Sequence, residues 1–277
     1  MKRRAFSLVE LLVVVAVIAL LISVLLPSLA GARSTARAAT CVANQRQLGL
    51  GWSLYANCYQ DRAMPLAYWS AQDIGTGPQV FWWGTHGTSA TPPDHSRGFI
   101  APFLDASLAA RSVFECPDQP WGSYRPQGPS RTVTSTYGYN GYYLSPAKTP
   151  GWGEAIGFRP WRRVSSVDRP CEVLVFADTL LPGSTPSNTA LLDPPFLFDG
   201  GEWIANDSPT TAFRHRATRA APGAAAGVRA DGSARSTRAD IAWIADESAW
   251  IGSIGPGNDP AYVPDWRQWS QHAAGRR

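Results

Sequence analysis

The feature that most constrains this chain is an apolar segment close to its N-terminus. Across residues 11–26 the only polar residue is Ser23, and with residues 6–10 the segment reaches about 20 residues, enough to cross a hydrocarbon core of roughly 30 Å as a helix. Glu10 lies inside this segment, where a carboxylate without a partner costs on the order of a few kcal/mol and usually has a function. Within the segment no Lys or Arg follows Glu10 at helical spacing, which predicts that another chain supplies its partner.

The segment and its flanks resemble the N-terminal signal of type IV pilins and type II secretion pseudopilins. The matching parts are a basic leader, Lys2-Arg3-Arg4-Ala5, then Phe6-Ser7-Leu8-Val9-Glu10, and Pro27 at the end of the apolar run. The resemblance implies that a prepilin peptidase cuts between Ala5 and Phe6 and that the new amine of Phe6 is methylated. It also implies that Glu10 pairs with the N-terminal amine of a neighbouring subunit and that the helix kinks at Pro27. Those families usually have Gly where this chain has Ala5.

Two other interpretations of the segment remain open. One is a secretory signal peptide with its cleavage site at residues 30–32, Ala-Gly-Ala, which would release a soluble exported domain starting near Arg33. The other is an uncleaved signal anchor. Glu10 favours the pilin-like interpretation, because a carboxylate is unusual in the apolar region of an ordinary signal peptide.

The charge of the chain gives no indication of a nucleic-acid partner. Its formal net charge is +4, but loss of the three basic leader residues would leave 22 of its 25 basic residues against 21 acidic ones. The orientation of the chain across the membrane is not fixed by charge either. Arg33, Arg37 and Arg46 follow the apolar segment and offset the positive charge of the leader. The resemblance implies a single-pass protein of the bacterial inner membrane, with its globular domain outside the cytoplasm.

The predicted fold is α+β and pilin-like, with a long N-terminal helix packed on an antiparallel sheet with long loops. We divide the chain into a leader over residues 1–5, a transmembrane and stalk helix over residues 6–59, and one extracytoplasmic domain over residues 60–277. Gly and Pro total 48, 25 and 23 respectively, which predicts many turns and short strands. Twelve Trp and nine Tyr predict an aromatic core, although they could instead line a glycan-binding surface.

The second half of the predicted helix has one apolar face. Its members recur at spacings of three and four residues and are Cys41, Gln45, Leu48, Trp52, Tyr55 and Tyr59. We expect this face to pack on the globular domain. Gly31, Gly49 and Gly51 weaken the helix locally, and the resemblance implies that such points allow a stalk to melt on assembly.

Four segments of the globular domain predict strands. Residues 172–177 predict a central strand because they are apolar on both faces, and Asp178 follows at its end. Residues 80–83 predict a second strand. Residues 132–144 predict a hairpin around Asn140-Gly141, and residues 227–236 predict another around Asp231-Gly232 with a type I′ turn.

Several short motifs outside the apolar segment resemble a large family of prepilin-like proteins found in planctomycete-type genomes. They are Cys41-Val-Ala-Asn-Gln-Arg-Gln-Leu-Gly-Leu, Tyr55-Ala56-Asn57, Phe114-Glu115-Cys116-Pro117, and a C-terminal signature of Arg214-His215 followed by Asp231-Gly232. The hairpin turn already gives Asp231 and Gly232 a sufficient structural role.

Four cysteines in an exported domain favour disulfides. Cys41 and Cys58 cannot pair if both lie on one helix, because 17 residues span about 25 Å. The family motifs favour Cys41 with Cys116, which leaves Cys58 with Cys171. Free buried thiols remain the alternative.

The sequence contains no recognised catalytic motif, so we expect no enzyme. His215 could form an acid-base pair with Asp178 or Asp231, but a hydrogen-bonded structural histidine is the simpler interpretation. His86, Asp94 and His95 could bind a metal from one loop, although their spacing matches no known motif. The resemblance to pseudopilins allows calcium without locating its site, and the candidate oxygen ligands are Asp193, Asp199, Glu202 and Asp207.

The sequence therefore predicts a structural prepilin or pseudopilin-like subunit. Its partners would be the prepilin peptidase and other pilin-like subunits, which would contact its N-terminal helix in a type II secretion or type IV pilus-like filament. The alternative is a membrane-tethered module that binds glycans or another ligand and forms no filament. Exposed Trp side chains on one face would favour the binding module, and buried Trp would favour the structural subunit.

Overall fold

The computed structural model describes residues 8–85, 94–104, 112–119, 135–183 and 186–273. The α-helices in these ranges are α1 (Leu8–Cys58), α2 (Ala71–Ile74), α3 (Gly141–Leu144), α4 (Gly153–Ile156) and α5 (Trp266–Ala273). The strands are β1 (Ala67–Tyr68), β2 (Val80–Phe81), β3 (Gly84–Thr85), β4 (Tyr137–Tyr139), β5 (Leu174–Asp178), β6 (Phe196–Asp199), β7 (Glu202–Ala205), β8 (Thr211–Ala212), β9 (Ala224–Arg229), β10 (Ala234–Arg238), β11 (Ile244–Asp246) and β12 (Ile251–Gly252). Single-turn 3-10 helices cover Ala101–Phe103, Pro146–Lys148, Val164–Ser166 and Ile241–Trp243.

The main sheet has four antiparallel strands in the order β10-β9-β5-β4. Every residue of β5 is buried, which confirms the prediction of a central strand. Asp178 is the last residue of β5 and lies opposite Tyr137 of β4. Smaller antiparallel sheets form from β1-β2-β3, from β11-β12-β8 and from β6-β7. The fold is thus α+β, with one long N-terminal helix and antiparallel sheets, as predicted.

The two halves of α1 have different surroundings. Its first half is exposed: the most apolar 18-residue window has a mean hydropathy of 3.1, and none of that window is buried, so by length and composition the helix can cross a membrane. Its second half packs on β9, β10 and β5. The predicted face is buried from Cys41 to Tyr55, whereas Tyr59 lies just beyond the helix and stacks on Tyr55 with ring centroids 4.2 Å apart.

The predicted hairpin around Asn140-Gly141 is wrong. After β4 the chain turns into α3, and Asn140 caps this helix by accepting a hydrogen bond from the amide of Tyr143. Its Nδ2 donates to the carbonyl oxygens of Leu174 and Tyr262, both at 2.9 Å. A fully buried Asn that satisfies groups from three segments overrides the local preference for a hairpin turn. Residues 132–134 lie outside the described residues.

The hairpin around Asp231-Gly232 is confirmed, but its turn is not type I′. Gly232 has a positive φ of 82° and Asp231 does not. The Gly232 amide donates to the carbonyl of Arg229, and the Arg229 amide donates to that of Ser233. This arrangement is a three-residue loop in which a tight turn is followed by a left-handed glycine.

The strand predicted at residues 80–83 is shorter than expected, because β2 ends at Phe81 and a turn at residues 82–83 leads into β3.

Aromatic side chains fill the core between α1, the main sheet and the C-terminal region. Trp52, Trp82, Trp83 and Trp269 are fully buried. Of the Trp residues in the described ranges, Trp243 alone is exposed, at 37%, and the others are buried or half-buried. The Trp content therefore supplies buried area for a domain of short strands rather than an exposed binding face.

Candidate functional site

The N-terminal segment holds the residues predicted for processing and assembly. Ala5 and Phe6 lie outside the described residues. Glu10 is in the first turn of α1 and is exposed, together with the apolar side chains that follow it. Pro27 lies within α1, which continues as a helix beyond it.

A second site lies where the stalk half of α1 meets the main sheet. Cys41, Cys116, Asp178 and His215 are buried side by side, and we call them the Cys-His cluster. One ligand atom from each lies within 4.8 Å of those of the other three. Cys41 comes from α1, Cys116 from the loop before β4, Asp178 from the end of β5, and His215 from the chain after β8. Four distant segments therefore meet at one point.

A tight turn positions Cys116 and its neighbour Asp118. The Gln119 amide donates to the carbonyl of Cys116 at 2.9 Å, and Pro117 occupies the position in the turn that its fixed φ favours. The Cys116 amide donates to Oγ1 of Thr136 at 2.6 Å. The Cys-Pro motif thus places both a thiol and a carboxylate against His215.

His215 is held by carboxylates at both ring nitrogens. Nδ1 lies 2.5 Å from Oδ2 of Asp118, and Nε2 lies 3.0 Å from Oδ2 of Asp178. Asp118 in turn pairs with Arg37 of α1. The same Oδ2 of Asp178 accepts a hydrogen bond of 2.6 Å from the amide of Ala226 in β9. The imidazole therefore has one fixed orientation.

Burial and charge act in opposite directions on these groups. Burial alone would lower the pKa of His215, but Asp178 and Asp118 raise it to about 12. Burial would raise the pKa of Asp178, but the charge of His215 holds it below its usual value, and hydrogen bonds from His215 and Arg37 do the same for Asp118. Without any further ligand, His215 is an imidazolium between two carboxylates.

The two buried thiols differ from each other. Burial raises the pKa of Cys41, whose Sγ lies 3.3 Å from Oδ1 of Asp178 and 3.4 Å from the hydroxyl of Tyr137. Burial would also raise the pKa of Cys116, but hydrogen bonds from Cys41 and His215 lower it to about 7. Sγ of Cys116 lies 3.5 Å from Nε2 of His215. Cys116 is thus the thiol that ionises more readily, which suits it to metal binding.

All four cysteines are free thiols in this structure. Cys41 and Cys116 are close neighbours in the cluster, whereas Cys58 and Cys171 are exposed. The predicted pairs Cys41 with Cys116 and Cys58 with Cys171 remain predictions.

The structure joins some of the candidate residues and separates others. His215 contacts Asp178, as one of the two sequence hypotheses predicted, but Asp231 sits in the β9–β10 turn, where its Oδ1 accepts from the Ser233 amide at 2.8 Å. Sequence reasoning missed Asp118. The available signal was an Asp two residues after Cys116, across a turn-forming Pro.

The other proposed ligand sets do not assemble in the described residues. The one group there with metal-ligand geometry is the Cys-His cluster, and it contains none of the calcium candidates Asp193, Asp199, Glu202 and Asp207. His86 lies outside the described ranges. Nδ1 of His95 lies 3.2 Å from the carbonyl oxygen of Trp83, and Asp94 accepts hydrogen bonds from Ser96.

Comparison with known families identifies the N-terminal segment. The family model described as the prokaryotic N-terminal methylation motif matches residues 1–26. The comparisons with curated proteins and with solved structures give no match. The matched segment includes Ala5, Phe6 and Glu10, and the Cys-His cluster lies outside it. The motif supports a prepilin-like protein, and together with the apolar helix that begins within it, at Leu8, it fits a single-pass membrane anchor.

Proposed function

We propose that this chain is a structural pilin-like or pseudopilin-like subunit that assembles through its N-terminal helix. The prepilin peptidase cuts between Ala5 and Phe6, and the new amine of Phe6 is methylated. The observation that carries the proposal is the methylation motif at residues 1–26, which includes the exposed apolar start of α1, a helix whose second half is packed on the domain.

The two halves of α1 have different roles in this proposal. The exposed apolar half holds the subunit in the bacterial inner membrane and later contacts neighbouring subunits in a type II secretion or type IV pilus-like filament. The packed half fixes the globular domain, residues 60–277, to this stalk on the outer side of the membrane. Glu10 sets the register by pairing with the methylated amine of Phe6 on an adjacent subunit, because an opposite charge stabilises a carboxylate at membrane depth.

Processing is tested by the mass and N-terminal sequence of the protein recovered from the membranes of its native host. We expect a chain that begins with methylated Phe6. A chain that begins near Arg33 would identify a released exported protein, and an intact Met1 a simple anchor. Either of these results would refute processing by the peptidase.

Assembly is tested with Glu10→Ala, and Glu247→Ala, which changes an exposed carboxylate of the globular domain, is the matched control. Both variants should insert into the membrane and be processed. Glu10→Ala should lose the sheared or sedimentable filament fraction, and Glu247→Ala should keep it. Normal filaments from Glu10→Ala would contradict the pairing role of this residue.

A further inference from the structure

We propose that the Cys-His cluster is a structural zinc site that fastens the stalk helix to the globular domain. Its ligands are Sγ of Cys41, Sγ of Cys116, Nε2 of His215 and one carboxylate oxygen of Asp178. Neither the methylation motif nor the function proposed above includes this site.

The ligand set fits zinc in chemistry. Two thiolates, an imidazole and a carboxylate are the donor types that Zn²⁺ accepts in proteins, whereas calcium and magnesium require oxygen ligands throughout. Thiolates select a softer cation, and the mixture of sulfur, nitrogen and oxygen donors suits a borderline one.

The ligand set also fits zinc in geometry. Ligands at zinc–donor distances of 2.0–2.3 Å in a tetrahedron lie roughly 3.3 to 3.8 Å from one another. The separations are 3.0 Å from Nε2 of His215 to Oδ2 of Asp178, 3.3 Å from Sγ of Cys41 to Oδ1 of Asp178, and 3.5 Å from Sγ of Cys116 to Nε2 of His215. All four donor atoms lie within 4.8 Å of one another. A zinc ion would draw the more widely spaced donors together to the tetrahedral spacing.

The groups around the cluster already hold its ligands in the orientation that zinc requires. Asp118 accepts from Nδ1 of His215, which leaves Nε2 directed at the other ligands; this carboxylate–histidine arrangement is typical of zinc sites. The Ala226 amide holds Asp178, and the Tyr137 hydroxyl lies against Cys41. Each of these ligands thus has an outer contact that fixes it.

Neighbouring charges can balance an ion in the cluster. Zn²⁺ with two thiolates and one carboxylate carries a net charge of −1. The guanidinium of Arg214 interacts electrostatically with Cys116 and Asp178 and offsets that charge. Asp118 is already neutralised by Arg37. The loaded site is therefore neutral overall, which suits a buried location.

The site is closed, which assigns it a structural role. The four ligand residues are at most 1% exposed, and they supply four donors, so no position is left for a substrate or a reactive water. Because Cys41 is on α1 and the other three ligands are in the domain, the ion joins the two parts.

The first test uses the full-length protein in detergent, isolated and kept under reducing conditions. We expect roughly one zinc per chain by elemental analysis. Cobalt substituted for zinc should give thiolate-to-metal charge-transfer bands and the visible spectrum of a tetrahedral site. A chelator should make two further thiols reactive to maleimide, beyond Cys58 and Cys171.

Variants identify the ligands. Cys41→Ser and Cys116→Ser should lose the bound metal, whereas the matched controls Cys58→Ser and Cys171→Ser should retain it. Asp118→Asn, which alters an outer contact only, should weaken zinc affinity roughly 10- to 100-fold. The cobalt spectrum and the thiol measurement use the unaltered chain, so they decide the question even if a cysteine variant fails to fold.

Two results would overturn the proposal. One is a reduced, folded protein that binds no zinc or cobalt. The other is a protein that carries a Cys41–Cys116 disulfide and no metal when membranes are trapped with an alkylating agent before extraction. The second result would establish the disulfide as the fastening between helix and domain.

Discussion

Gly49 of α1 lies so close to Val228 of β9 that a Cβ atom at position 49 would be only 2.6 Å from Cγ2 of Val228. Carbon atoms in van der Waals contact are about 3.5 to 4.0 Å apart. Glycine is a poor helix former, with a penalty of about 1 kcal/mol relative to Ala. At position 49 that penalty is offset by the close approach of the helix to the sheet, so Gly49 is a packing residue.

Gly49→Ala should destabilise the protein by about 1–3 kcal/mol, because the added methyl group forces the helix away from β9. Gly31→Ala is the matched control, since a Cβ there has no atom within 4 Å, and it should be neutral or stabilise by up to about 1 kcal/mol. Urea unfolding followed by Trp fluorescence measures both. Equal stability of the two variants would show that the helix does not approach β9 this closely.

Asp193 should make stability fall as pH rises. Burial raises its pKa to about 7, and its Oδ1 has no hydrogen-bond partner among the described residues. Between pH of about 4 and 7 the unfolded chain loses this proton while the folded chain keeps it, so the free energy of unfolding decreases across that interval. Above pH 7 the decrease in the free energy of unfolding is complete and is on the order of 2 kcal/mol, allowing for the partial exposure of Asp193.

Asp193→Asn should remove that dependence and be more stable than the parent at pH 8, with little difference at pH 4. The matched control is Asp207→Asn, which changes an exposed carboxylate in the same region. Thermal unfolding at both pH values measures the effect. If the difference in stability between the parent and Asp193→Asn were the same at pH 4 and pH 8, the raised pKa of Asp193 would be refuted.

Asp265→Ala should be strongly destabilising, by about 3–5 kcal/mol. The buried Asp265 accepts hydrogen bonds from Arg159 at 2.8 Å, from Arg162, and from Nε1 of Trp269 at 2.9 Å. Its removal leaves two mostly buried guanidinium groups without their carboxylate. Chemical unfolding of the full chain is the measurement.

An exposed ion pair provides the comparison for Asp265. Glu172 lies 3.6 Å from Arg169, and the two side chains are 43% and 46% exposed. Glu172→Gln should therefore change stability by no more than about 0.5 kcal/mol, and even that should decrease with added salt. Similar losses in the two variants would mean that Asp265 is not buried in an ion-pair network.

Gly232→Ala should destabilise the β9–β10 hairpin by about 1–2 kcal/mol, because a side chain is disfavoured at a φ of 82°. A Cβ there would meet no atom within 4 Å, so the penalty comes from the backbone alone. The matched control is Gly257→Ala, which should be neutral. A Cβ at position 257 would also meet no atom within 4 Å, and the φ of Gly257 is not positive. Loss of metal from Gly232→Ala without loss of stability would show that the Asp-Gly signature acts at the cluster instead.

The elements that could be predicted from the sequence are those with a strong local pattern. The face from Cys41 to Tyr55 was predicted because a helix repeats every 3.6 residues and its buried side recurs accordingly. The strand β5 was predicted because an apolar run with no polar side indicates burial on both faces. The hairpin at Asn140 failed because its side chain bonds to Leu174 and Tyr262, which no local pattern encodes.

The Cys-His cluster could not be predicted for the same reason. Recognised zinc motifs place pairs of ligands a few residues apart, so that one turn or helix supplies both. Here Cys41, Cys116, Asp178 and His215 are each alone in their segments, and only the order of the strands brings them together. The sequence suggested Cys41 with Cys116 through a family resemblance and His215 with Asp178 as one of two alternatives, and Asp118 was not identified at all.

The packing of α1 also determines when, during synthesis, the second half of the helix can be covered by the sheet. Residues 41–56 leave the ribosome early, whereas β5, β9 and β10, which cover them, extend to Arg238. Contacts between such distant parts of a chain form late, because the intervening loop must first be ordered. The packed face of the helix therefore stays partly uncovered until β9 and β10 are made, and a chain that stops before Ala224 lacks both of these strands. The stalk is consequently secured only after synthesis has passed Arg238.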